Sequence, residues 1–195
     1  MESPGAFPLN SAVWPGCVLA SVAHAVFLCR APLLAYERSW NGSICRMTDS
    51  QGTNGAIVFG EDKNKFVAAF FTEHSSRSPS LRRRAEGDAG ARLLEKVPLA
   101  LKPLALALPS LTFDDKGAAV LLATSIFWSG LSDEYTTSCE PWEDVFDNGA
   151  SLIENELLGE QAALAAWAAD MALGNAEIAL VAAIHHRRLE CARGE

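Results

Sequence analysis

Residues 39–59, SWNGSICRMTDSQGTNGAIVF, decide how this chain is read. Asn41-Gly42 is a hairpin signal, because both central positions of a type I′ turn need positive φ, which Asn and Gly tolerate. It places a short strand at 36–40 and a return strand at 43–48. The run DSQGTNG then supplies a longer turn through Gly52 and Gly55. AIVFG is a third strand, EDKNK a polar turn, and FVAAFFT, residues 66–72, a fourth. Short strands joined by short turns make an antiparallel meander over residues 36–72. The fourth strand is apolar on both faces, so both are expected to be covered. Each glycine has a geometric task, and the stretch reads as the bends of a small sheet.

On the N-terminal side, no Lys, Arg, Asp or Glu occurs from Ser3 to Cys29. That length could span a bilayer. Pro4, Pro8 and Pro15 crowd its first half, however, and a signal peptide would begin with basic residues where this chain begins Met-Glu. Residues 1–32 therefore read as a buried apolar helix that stops before Pro32, with membrane attachment through residues 12–29 as the lesser alternative.

On the C-terminal side, residues 73–92 form a polar loop carrying Arg77, Arg82, Arg83, Arg84 and Arg92. Prolines 98, 103 and 109 cut residues 93–130 into helical turns, and 118–128 has the composition of a further strand. Residues 138–191 read as three helices. The first carries an apolar stripe through Trp142, Val145, Phe146, Gly149, Leu152, Ile153 and Leu157. The second runs from Glu160 to Leu173 with Gly174 as its stop, and Asn175 caps the third. A single α+β domain over 1–195 is expected. Its four- to five-stranded antiparallel meander is packed by the N-terminal helix and the C-terminal helices, with Trp40, Trp128, Trp142 and Trp167 in the core or lining a groove.

A net charge of −8 and a pI near 5.0 argue against nucleic acid as a partner. The five cysteines form no CxxC pair, so neither a disulfide scaffold nor a zinc knuckle is indicated, and free thiols in a reducing cytoplasm are expected. Charge is unevenly distributed. The 70 residues from Gly117 to His186 hold eleven of the 24 acids and no Lys or Arg, which leaves 13 acids against all 16 bases elsewhere. A face of one sign invites a partner of the other. Asp133, Glu134, Glu140, Glu143, Asp144, Asp147 and Glu154 are the expected contacts for a basic protein partner.

Candidates for chemistry are sparse. His74, Ser76, Arg77 and Asp49 could form a base, nucleophile and charge set in a cleft between sheet and helices, although no G-x-S-x-G elbow accompanies them. His185 and His186 are adjacent, so their rings point to different helix faces, and charge complementarity at a helix end accounts for them without a metal. DSQGTNG lacks the G-K-[ST] ending of a phosphate loop. No cofactor is called for.

SW-NG, DSQGTNGAIVF, VAAFF and SSRSP within residues 39–79, with FW at 127 and PWEDVFDNGASLI at 141–153, resemble a group of small bacterial proteins without an assigned activity. The likeness covers most of the chain. It implies a bacterial cytoplasmic protein and no mechanism, and it leads to a histidine where this chain has Ser151, so no role at that position carries over. Two functions follow as expectations: an immunity protein that neutralises a basic toxin through its acidic C-terminal third, or a small-ligand protein or hydrolase using the cleft.

Overall fold

The computed structural model describes residues 7–78, 88–113, 119–120, 122–130 and 135–193. The first helix, α1, spans Asn10–Phe27, and a 3-10 turn over Pro32–Glu37 leads into the sheet. Four strands follow in antiparallel succession: β1 (Arg38–Asn41), β2 (Ile44–Thr48), β3 (Thr53–Phe59) and β4 (Phe66–Thr72). Two short helices, α2 (Asp88–Glu95) and α3 (Lys102–Leu106), precede a two-stranded ribbon of β5 (Thr112–Phe113) and β6 (Ala119–Val120). The chain re-enters the main sheet with β7 (Ser125–Ser129) beside β4 and β8 (Thr136–Thr137) beside β7. Helices α4 (Trp142–Asp147), α5 (Glu160–Asp170) and α6 (Asn175–Arg193) complete the order.

The protein is α+β, and its sheet is antiparallel in the order β1-β2-β3-β4-β7-β8. It has six strands where four or five are expected. The extra strand, β8, is two residues long and exists through its neighbours. Thr136 and Thr137 pair with Ser129 and Trp128, while the Thr136 N–H donates to the Pro8 carbonyl at 2.8 Å.

The first hairpin also turns one residue later than expected. Asn41 pairs with Ile44, so the loop is Gly42-Ser43, with Gly42 at φ 59° in the first central position, where a type II′ turn carries its glycine. Strand β3 begins at Thr53, which puts Gly55 inside the sheet opposite Met47 and Phe70 rather than in a turn.

Every residue of β4 is buried, and its alternation separates two cores. Val67, Ala69 and Phe71 join Ala56, Val58, Ile126 and Trp128 on one face, covered by Leu93, Val97, Leu101, Ala105 and Leu108 from α2, α3 and their connections. Phe66, Ala68 and Phe70 join Ile57, Phe59 and Phe127 on the other, covered by Val13 and Cys17 of α1, Trp142 and Val145 of α4, Ala150 and Ile153. Rings chain across this second core: Trp14–Phe59 at 5.0 Å, Phe59–Phe66 at 5.9 Å, Phe66–Phe127 at 5.7 Å and Phe127–Trp142 at 5.4 Å. Phe59, Phe66, Phe70, Phe71 and Phe127 are fully enclosed, and each contributes about 1.5–3 kcal/mol by leaving water. A third core joins Leu19, Ala20, Val22 and Ala23 of α1 to Ala163 and Trp167 of α5, Leu173, and Val181 of α6. Helix α1 is thus buried on two sides.

The expected helix over 141–157 is broken into α4 and two 3-10 turns, Ala150–Ile153 and Asn155–Leu157. Gly149 breaks it: its φ is 126°, and a Cβ there would stand 2.9 Å from Phe70 Cβ. Helix α5 ends in a Schellman motif, with Leu173 N–H on the Ala168 carbonyl at 3.0 Å and Ala172 N–H on the Ala169 carbonyl at 3.4 Å. The left-handed residue is Ala172, at φ 49°, and not Gly174. Gly174 instead precedes α6 and donates its N–H to Glu177 Oε2 at 2.8 Å, so Asn175 is already helical rather than the cap.

Candidate functional site

The two sets of residues singled out from the sequence fare differently in space. Asp49 accepts the N–H groups of Gln51 (2.7 Å) and Thr53 (2.9 Å), an Asx turn that closes the β2–β3 connection. Partial burial pushes its carboxyl up, but the N–H groups of Thr53 and Gln51 outweigh that and hold it below its ordinary value. His74 Nε2 bonds to the Gln51 carbonyl at 3.2 Å, so Asp49 and His74 brace the same end of the sheet. Arg77 is turned elsewhere, to Glu140 Oε2 (2.5 Å) and Asp144 Oδ2 (3.7 Å). Ser76 is exposed, while Ser75 donates to Asn148 Oδ1.

The acidic residues are used in several ways. Glu140 and Asp144 take Arg77; Glu156 takes Arg38; Glu160 faces two histidines; Asp170 accepts from Asn155 at 3.1 Å; and Glu177 takes Arg30 at 3.4 Å. Glu143, Asp147 and Glu154 are exposed and take no ion pair among the described residues, whereas Asp133 and Glu134 lie outside them.

Glu156 is the outlier of that group. It is 2% exposed and forms an ion pair with Arg38 Nη2, whose side chain is 13% exposed. Gly16 of α1 makes room for it: a Cβ at Gly16 would overlap the Glu156 carbonyl oxygen. Beside the pair lie two thiols, Cys17 on α1 and Cys45 on β2, both fully buried. The neighbouring Cys45 thiol, together with burial, raises the Cys17 thiol well above its ordinary value. His24 completes the cluster and donates Nε2–H to the Leu34 carbonyl at 3.1 Å. Burial lowers its pKa most, and the charge of Arg38 adds to the effect.

Sequence reasoning missed a second cluster. Helix α6 continues to Arg193, so His185 and His186 sit in its middle and helix-end charge does not account for them. His185 is 2% exposed. Its Nε2 bonds to the Pro15 carbonyl at 3.2 Å, and its buried Nδ1 has no hydrogen-bond partner. Glu160, at the start of α5, spans both rings, with Oε1 2.7 Å from His186 Nε2 and Oε2 3.5 Å from His185 Nδ1. Burial dominates at His185 and holds its pKa below the ordinary value despite the neighbouring carboxylate, which keeps the ring neutral.

A groove of about 1160 Å³ lies between α1 and α6. One wall is a stripe of α1 through Trp14, Val18, Ser21, Val22, Ala25 and Val26, with Cys29 just past the helix end. The spacing of three or four residues puts these on one side of the helix. The other wall is Ile184, Arg187, Arg188 and Cys191 of α6, and Trp40 closes an end. Trp40 packs edge-on to Trp14 at 5.2 Å and donates its indole N–H to Ser21 Oγ at 2.7 Å, which fixes both rings. Arg187 and Arg188 are exposed at the rim, and no carboxylate pairs with either among the described residues. By length and composition α1 could also cross a membrane, with a mean hydropathy of 1.2 over 18 residues, but 56% of it is buried inside the protein. Its apolar character is accounted for by two cores and the groove. Comparison of the chain with protein-family models, with curated proteins and with solved structures finds no match.

Proposed function

We propose that the protein binds an elongated apolar molecule with an anionic head, of the long-chain carboxylate type, in the groove between α1 and α6. The observation that carries this reading is the composition of the groove. Its walls are aliphatic and aromatic, and among the described residues its formal charges are those of Arg187 and Arg188 at the rim, neither paired with a described carboxylate. Such a site gains affinity from burying the chain, at about 25 cal/mol per Å² of apolar surface, and takes its orientation from the charged end. The Trp14–Trp40 pair reports occupancy directly. Titration with dodecanoate is expected to change tryptophan emission. The dodecyltrimethylammonium ion of equal chain length is expected to bind at least about tenfold more weakly, a difference of about 1.4 kcal/mol. The double variant Arg187→Glu/Arg188→Glu is expected to invert that preference. Equal affinity for both head groups, or no saturable signal, would refute the reading.

A second reading, an immunity protein that neutralises a basic toxin, is favoured by one observation. Glu143, Asp147 and Glu154 stand exposed without a cation partner among the described residues. Its test is the salt dependence of association with a basic protein. Binding that survives Glu143→Gln/Asp147→Asn/Glu154→Gln unchanged rules it out.

A further inference from the structure

We propose that Glu160, His185 and His186 form a binding site for a divalent transition-metal ion of the zinc type. The inference is independent of the groove's occupant.

The argument begins at His185. Its Nε2 faces a backbone carbonyl, that of Pro15, at 3.2 Å. A carbonyl only accepts, so Nε2 carries a proton and Nδ1 is the ring position left for coordination. Nδ1 is buried, has no hydrogen-bond partner, and lies 3.5 Å from a carboxylate oxygen of Glu160. Burying a polar atom without a partner carries a cost. A cation held by Nδ1 and the carboxylate removes that cost. His186 offers its Nε2 to the other oxygen of the same carboxylate at 2.7 Å. The three donor atoms lie within 4.8 Å of one another.

The ligand chemistry selects the ion. Two imidazole nitrogens and one carboxylate suit zinc and its first-row neighbours, whereas calcium and magnesium favour all-oxygen sites. Bonds of about 2.0–2.1 Å place tetrahedral ligand atoms about 3.3 Å apart, so the widest pair closes by about 1.5 Å on binding. His186 and Glu160, whose side chains are 60% and 35% exposed, supply that movement. His185 is held by Pro15, which is the outer-sphere bond that zinc-bound histidines characteristically make through their other nitrogen. Three protein ligands leave a fourth position facing water. Adjacent histidines converge here because one presents Nδ1 and the other Nε2, which offsets the angular step between neighbouring helical residues.

The test uses the full chain with Cys29, Cys139 and Cys191 replaced by serine, since these exposed thiols would otherwise bind zinc. Competition for Zn²⁺ against a chromophoric chelator at neutral pH is expected to give one equivalent bound. Glu160→Gln and His186→Gln are each expected to weaken it by about tenfold or more. Both positions are solvent-accessible, so these variants keep the fold, and far-ultraviolet circular dichroism verifies that. His185 is tested without mutation. On Zn²⁺ addition its Nδ1 resonance in an imidazole ¹⁵N spectrum shifts while Nε2 stays protonated. Failure to retain zinc, retention unchanged in both variants, or an unmoved His185 Nδ1 resonance would each overturn the proposal.

Discussion

Removing the carboxylate of Glu156 is the most demanding test of the packing described above. Glu156 is 2% exposed and Arg38 nearly as enclosed, so neither charge has water to fall back on. Arg38 Nη1 already lacks a hydrogen-bond partner. In Glu156→Ala the guanidinium loses its ion-pair partner and is left beside the Cys17 and Cys45 thiols. Breaking a buried pair from one side costs about 3–5 kcal/mol, against about 0–1 kcal/mol for an exposed pair. At about 2–4 °C per kcal/mol for a chain of this size, the melting temperature should fall by about 6–20 °C. Urea unfolding followed by tryptophan emission measures the loss, and the slope with denaturant shows whether the transition stays cooperative. The double variant Arg38→Met/Glu156→Leu removes both charges and is expected to recover most of the stability. A loss below about 1 kcal/mol in Glu156→Ala, or a double variant no better than the single, would mean that solvent reaches the pair.

Ala172 holds the left-handed position that closes α5, so Ala172→Gly should stabilise the protein by about 0.5–1 kcal/mol, measured by the same urea midpoint. A thiol reagent should label Cys29, Cys139 and Cys191 in the native protein and reach Cys17 and Cys45 only after unfolding; early labelling of Cys45 would show that the α1–β2 contact opens. Burial lowers the pKa of His24, so the unfolded chain takes up the proton first as pH falls. The stability tied to His24 is therefore complete above about pH 6.5 and is lost as pH falls through its lower folded value. His24→Gln, which can still donate to the Leu34 carbonyl, should make the acid limb of stability against pH shallower.

Elements whose signal is local and repeated were legible in the sequence. FVAAFFT is apolar on both faces, and β4 is the strand with a core on each side. The hairpin turn was legible only to within one residue. Asn-Gly and Gly-Ser are both competent turn pairs, and the choice coincides with packing that local preference does not contain, Trp40 against Trp14 and Phe59. Strand β8 is too short to carry any alternation and depends on Pro8 and Leu9 from the far end of the chain. Gly149 falls on an apolar stripe of helical spacing, yet the need to clear Phe70 ends the helix there.

The polar clusters were harder to read, because each is assembled from distant segments. Glu156 looked like one of eleven acids, although its place between Ile153 and Leu157 on an apolar stripe was a signal that it points inward. The spacing of the adjacent histidines carries no metal signal by itself; the third member, Glu160, lies 25 residues upstream of His185 on another helix. The groove had a legible half, the all-round apolar α1, but the facing wall on α6 carries no periodic signal strong enough to point to it.

The partnership of α1 with α6 also bears on synthesis. Pro15 meets His185 and Arg30 meets Glu177, contacts separated by about 150–170 positions along the chain. At about 5–20 residues per second, a ribosome that has finished Arg30 needs a further 7–30 seconds, roughly, to deliver Glu177. Throughout that interval the most apolar helix of the protein is unsheltered on the side it will later turn to α6. The docking of α1 on α6 is therefore a late event, set by sequence separation and not by local preference.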